Sequence, residues 1–377
     1  MVCERPPAGR FAPAAVPLRK RDNVIVGNAG LSVPLAKGDS RWSEATGRGS
    51  FTSRVAVISC AKPMGAEFRI NRNRQIGTVS GLLALCGVLW ILSPYFLTVS
   101  NLLNIAEQTS IIAVVAAGMT FVIITAGIDL SVGSVLAFSG VVMASSLAAG
   151  RSIPPALSIG LLVGLACGIA NGALISIGRL PPFIATLGMM SIARGAALLF
   201  TQGRPISGFS ETFRSIATTD VLRVPFPVIV MIAVYVISHL ILTRTKLGRY
   251  AYAIGGNETT AYLSGVNVRL YKTAVYGLSG ICSGLAAVLL TARLNSAQPI
   301  AGINYELDAI AAVVIGGTSL MGGEGTVTGT LIGALIIGVL RNGLNLLAVS
   351  SFIQQIVIGS VIVTAVLLDT FFKRNKK

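Results

Sequence analysis

From residue 76 onward the chain is a succession of apolar stretches about as long as a bilayer is thick, separated by short polar breaks. A helix needs about 20 apolar residues to cross roughly 30 Å of hydrocarbon. Ten runs meet or approach that length, at 76–96, 106–126, 130–150, 155–178, 183–201, 225–243, 273–292, 305–320, 326–347 and 352–371. The pattern predicts an all-α polytopic membrane protein of eight to ten spans, because only helices satisfy their own backbone groups one segment at a time in lipid. The stretch 106–150 would be about 67 Å long as a single helix, so it must break or fold back. The sequence marks that break at Gly127-Ile128-Asp129-Leu130-Ser131-Val132-Gly133. A second break stands at Gly316-Gly317-Thr318-Ser319-Leu320-Met321-Gly322-Gly323-Glu324-Gly325. Each interrupts an apolar helix with glycines and one acid, and another apolar helix follows. Two readings fit: broken or re-entrant helices around a midplane path, as transporters place them, or ordinary tight turns at the membrane surface. On the first, Asp129, Ser131, Gly133, Asn171, Gly317 and Thr318 shape the path. Asp129 also reads as a helix cap, since acids at helix starts satisfy orphan amides.

Charge fixes the expected orientation. The net charge of +16 lies in three strips: +8 over residues 1–75, +4 over 244–272, and +4 from Lys373, Arg374, Lys376 and Lys377. Basic strips between spans mark the cytoplasmic side. With both termini in the cytoplasm, the loops 179–182 and 244–272 face inward and 202–224 faces outward. Charged residues are only 12% of the chain and mean hydropathy is +0.77, too little polar surface for a water-soluble body of 377 residues. A nucleic-acid binder would instead carry its basic face on a polar fold.

Residues 1–75 are basic, and residues 1–63 in particular are rich in Arg, Pro, Gly and Ser and show no helical or alternating period. They read as a disordered segment. One expectation is that Met64 is the natural start. The apolar stretch before Cys60 is too short for a signal peptide. The permease body is expected at 76–372, with a basic tail at 373–377.

The chemistry-bearing residues are sparse. Five cysteines have no metal-ligand spacing, no phosphate-binding G-x-x-x-x-G-K-[ST] loop occurs, and no nucleophile–base pair stands out. Neither a cofactor nor a metal is expected, and the chain reads as a transport subunit rather than an enzyme. Gly160, Gly164, Gly168 and Gly172 form a small-residue groove on one helix, for close packing or for lining a path or a dimer seam. In the loop 244–272, Asn257 suits a helix N-cap, Glu258 the first turn and Gly265 the C′ position, which predicts a helix of about seven residues. Tyr252, Ala261 and Leu263 would give it apolar surface, fit for docking into a groove of a soluble partner or for resting on the membrane.

At these residues the chain resembles a known family. Gly248-Arg249, Ala253 to Asn257 and Ala261 to Ser264-Gly265 are similar to the coupling loop of ribose-type ABC sugar importer permeases. Ile124 to Gly133, Leu180 to Gly188 and Gly316 to Gly323 match further motifs of that family in its order, over about residues 76–372. Thr260 and Tyr262 stand where the family has alanine and a basic residue. The resemblance implies an inner-membrane permease that pairs with a second permease, usually its own copy. A cytoplasmic ABC ATPase would dock on the coupling helix, and a periplasmic sugar-binding protein on the outside. It further implies that Gly248, Arg249, Gly255, Gly256, Asn257, Glu258, Ala261, Ser264 and Gly265 shape the ATPase contact. The cargo would be a monosaccharide such as ribose or xylose, or a related polyol. An ion-coupled secondary transporter of a small polar solute is the competing class. It would need buried carboxylates as relays, of which the sequence offers few.

Overall fold

The computed structural model describes residues 64–221 and 223–374. The expectations for residues 1–63 and for the end of the basic tail lie outside the described residues. Thirteen helices carry the described chain: α1 Met64–Leu92, α2 Val99–Ile124, α3 Val132–Ala148, α4 Ile153–Ser176, α5 Pro182–Thr201, α6 Glu211–Thr218, α7 Phe226–Arg244, α8 Lys246–Gly256, α9 Glu258–Leu263, α10 Val268–Leu294, α11 Tyr305–Ile315, α12 Val327–Leu346 and α13 Ser351–Arg374. The four strands are two-residue pieces: β1 Ile206–Ser207 pairs antiparallel with β4 Ser296–Ala297, and β2 Asp220–Val221 with β3 Val224–Pro225. The fold is an all-α polytopic membrane protein. Six helices (α2, α4, α5, α7, α10, α12) are long and apolar enough to cross a membrane, and three shorter apolar helices span Ile76–Leu92, Val132–Ala148 and Ser351–Thr364.

Helix α2 is the axis of the molecule. It is apolar on all sides because α7, α10, α11 and α12 enclose it. With no hydrophobic drive between helices in lipid, polar pairs and small residues hold the bundle. Asn101 and Asn342 donate to each other's amide oxygens at 3.1 and 2.9 Å, and Thr120 Oγ1 meets Thr330 Oγ1 at 2.8 Å, tying α2 to α12 at two levels. The glycine groove of α4 lies inside the subunit: Gly164 faces the Gly280 carbonyl, Gly168 that of Tyr276, and Gly172 the backbone of Thr273, all on α10. The packing reading of that groove therefore accounts for it.

Three elements differ from the sequence reading. α1 begins at Met64, so residues 64–75, expected to be disordered, are helical. The loop 202–224, expected to face outward, contains α6, capped by the Ser210 hydroxyl, with Phe213 and Ala217 buried beside Val288 and Ala292 of α10. The run at 305–320 is not a full span: α11 has only 11 residues. The chain leaves the end of α10, pairs β4 with β1, and descends until Gly302 touches the backbone of Gly133. A run of turns at 299–304 plus a half-helix thus replace one span. Asn295, Pro299, Gly302 and Asn304 mark this third break in the sequence, and hydropathy alone does not separate it from a loop.

Candidate functional site

The loop 244–272 folds into two helices rather than one. Thr245 opens α8, in which Gly248 is buried against the Leu242 backbone and Arg249 is exposed. Asn257 then ends α8 and caps α9: its Oδ1 accepts from Thr260 N at 2.9 Å. Glu258 opens α9 and pairs with Lys272 at 2.6 Å, fixing α9 against the start of α10. Ser264 is the C-cap, and Gly265 follows with φ +84°, the left-handed value its C′ assignment requires. α9 spans six residues, one turn and a half, close to the expected length.

Which residues face outward differs from expectation. Ala261 is buried, packed with Ile254 and Val268, so it seats α9 rather than presenting a surface. Tyr252 also points inward, its hydroxyl donating to the Gly325 carbonyl at 2.6 Å; burial pushes its phenol up to about 12, so it remains a neutral donor at physiological pH. The apolar surface is instead Tyr262 and Leu263, 69% and 79% exposed. Beside them a cleft of about 1070 Å³ is lined by Arg179, Pro181, Tyr262, Arg269 and Lys272. It places the 179–182 and 244–272 loops at one end of the molecule, as the charge pattern expects of two loops on the same side.

The two glycine breaks meet the far side of this same loop. Gly323 N donates to Ile124 O, the last carbonyl of α2, at 2.9 Å. Gly255, near the end of α8, lies so close that a Cβ would collide with Ile124 O and Gly323 N. Gly322 stacks on Ala126 and the Gly255 carbonyl. The end of α2, the α11–α12 turn and the end of α8 are therefore one contact, sharing backbone atoms. Gly256, the next residue, is exposed.

Within the first break, Asp129 is 2% exposed and does not cap α3 directly. Its Oδ1 accepts from Ser131 N at 3.0 Å and Ser131 Oγ at 2.6 Å, and its Oδ2 from Ser279 Oγ of α10 at 2.9 Å. Asn171 of α4 donates to Ser131 Oγ at 2.9 Å. Asp129, Ser131 and Asn171 are thus brought together as a buried latch between the break, α4 and α10. Gly133 sits apart from them against Gly302. Gly317 (φ +90°) and Thr318, 1% exposed, lie in the second break. Sequence reading missed Ser279, the Gly325 carbonyl as the partner of Tyr252, and the pair Arg341–Asp308 at 2.7 Å. Each partner lies too far along the chain for spacing to reveal it.

Residues 101–366 match the family described as branched-chain amino acid transport system / permease component. The chain belongs to this permease family. It is 50% identical over 299 residues to the ribose import permease protein of Haemophilus influenzae, covering 78% of this chain and 93% of that protein. It is 42% identical to the D-allose transport system permease protein of Escherichia coli strain K12, over 86% of this chain and 99% of that one. The L-arabinose ABC transporter permease protein of Azospirillum brasilense is 34% identical, over 85% and 94%. This permease is a multi-pass membrane protein and a transport component, not an enzyme, in agreement with the sequence reading.

Proposed function

We propose that this permease is the membrane-spanning subunit of an ATP-driven importer that carries a monosaccharide such as ribose, or a related sugar or polyol, across the inner membrane. Two copies would enclose the path. A cytoplasmic ABC ATPase would bind α8 and α9, and a periplasmic binding protein would deliver the sugar to the opposite end. Both termini would then lie in the cytoplasm. The names of the ribose, allose and arabinose relatives support the substrate class.

The observation that carries the coupling role is the geometry of Gly255. Tyr262 and Leu263 offer a partner an exposed apolar handle, and the other end of the same loop touches both helix breaks through Gly255. A force on α9 is passed by Ala261 and the Glu258–Lys272 pair to α8 and α10. From α8 it reaches the end of α2 and the α11–α12 turn by direct backbone contact at Gly255. This favours an ATPase-driven rocking motion over an ion-coupled mechanism.

Proteoliposomes holding the permease with its ATPase and binding protein test the reading. Uptake of radiolabelled D-ribose should require ATP. Leu263→Asp should lower ATPase co-purification at least about tenfold, the loss of a buried anchor at an interface, with the permease still folded. Ala261→Pro, which removes the Ala261 N to Asn257 O bond, should abolish uptake while the protein stays in the membrane. Uptake that persists without ATP and collapses with an ionophore would contradict the proposal.

A further inference from the structure

A cleft of about 420 Å³ lies between the start of α11, the later turns of α12 and the first turns of α13. Its polar lining is Asn304, Asp308, Arg341, Ser351, Gln354 and Gln355, and aliphatic side chains such as Ile358 and Ile362 complete it. The volume is that of a small-molecule pocket. Arg341 stands fourteen residues after Val327 on α12, about 21 Å along the helix. The cleft is therefore remote from the turn that touches α8.

Packing does not explain this chemistry. α11 and α12 already meet through backbone contacts, Gly333 on Ala312 and Gly316 on Gly329. Replacing a buried ion pair by apolar residues is often neutral or stabilising, and charges inside a membrane protein mark functional sites. Asp308 is 2% exposed and takes only one of Arg341's donors directly, Nη2 at 2.7 Å. Arg341 Nε has no partner among the described residues, and its side chain keeps 32% exposure. Gln354 spends its amide nitrogen on Asn345 Oδ1 and the Val349 carbonyl, at 2.8 and 2.9 Å, which fixes its orientation. Gln355, one residue on, is exposed in the cleft. A partly exposed guanidinium, amides that both donate and accept, and a facing aliphatic wall match the hydroxyl edge and C–H face of one sugar ring.

We propose that this cleft is a binding subsite for a monosaccharide, with Arg341 and Gln355 contacting hydroxyls and Asp308 as the positioning residue that aims Arg341. The assignment rests on the importer reading above and names residues for its path. The test uses the full chain with native cysteines replaced by alanine and Ser351→Cys introduced at an exposed lining position, reconstituted in vesicles with its partners. Alkylation of the new thiol is timed with D-ribose, D-allose or L-arabinose, and with glycine betaine as a non-sugar osmolyte. At least one sugar at saturating concentration should slow alkylation at least about fivefold. Glycine betaine should not, and adding Arg341→Gln should remove the protection. Protection by the bilayer or by a second copy alone, unchanged by sugar, would overturn the subsite. So would protection that Arg341→Gln leaves intact. Wild-type uptake of a sugar that gives no protection would overturn the subsite alone; absence of ATP-dependent sugar uptake by the wild-type complex would instead count against the importer reading.

Discussion

Asp129 is held by hydroxyls and a backbone amide rather than by a cation. Three donors converge on its carboxylate, two from Ser131 and one from Ser279. Hydrogen bonds to a charged acceptor contribute about 1.5–3 kcal/mol in water and often nearer 1 in a membrane bundle. Ser279→Ala should therefore lower stability by about 1–2 kcal/mol, and Asp129→Leu by more, since it removes the acceptor of both serine hydroxyls and frees the break from α10. Unfolding of the purified variants in detergent would show the order; a Ser279→Ala protein as stable as wild type would remove the latch from the account. The sequence makes Asp129 conspicuous as a lone acid in an apolar region, and Asn171 as an amide beside a glycine groove. It does not join them, because 42 residues, including the whole of α3, separate them and the link runs through the Ser131 hydroxyl. Ser279 is indistinguishable by sequence from other membrane-helix serines until α10 is placed against α2.

At the scale of elements, the spacing of Gly160, Gly164, Gly168 and Gly172 shows a close-packing face, and the structure supplies its partner: α10, with Gly280 and Gly284 of its own turned toward α4. Gly168→Leu should drive a side chain into the Tyr276 carbonyl, and overpacking of this kind costs about 1–3 kcal/mol or more. Gly188 of α5 has open space beyond it, so Gly188→Leu should leave the isolated subunit folded. Comparing the amounts of the two variants in membranes checks this; equal accumulation would contradict it. The long apolar runs were legible because hydropathy reports burial in lipid. The halving of the 305–320 run was not, because the turns at 299–304 pack on Gly133 and accept from Arg194, through the Pro299 and Ala301 carbonyls at 2.7 and 2.8 Å, and no sequence pattern shows those distant partners. α8 lies in the stretch 244–272, where the sequence pattern predicts one short helix, and carries glycines at 248, 255 and 256. Two of them, Gly248 and Gly255, are glycines because other backbone lies against them.

In the whole molecule, three stretches that the sequence shows as separate motifs become one junction. Ile124 closes α2, Gly323 turns α11 into α12, and Gly255 presses on both. Gly255→Val should therefore impair coupling at a distance from the path, leaving ATPase binding through Tyr262 and Leu263 while uptake falls. ATP hydrolysis that no longer responds to the sugar-loaded binding protein would be the reading; normal uptake would show that the junction is not a relay.

All of this requires α9 to lie on the inner side of the membrane. The direct measurement places a single cysteine at Thr259 in a chain whose native cysteines are replaced by alanine, and asks from which side a membrane-impermeant maleimide reaches it. The account predicts labelling in inside-out vesicles and none in intact spheroplasts. Labelling from the outside of intact spheroplasts would contradict it, and with it the attachment of any cytoplasmic ATPase to this helix.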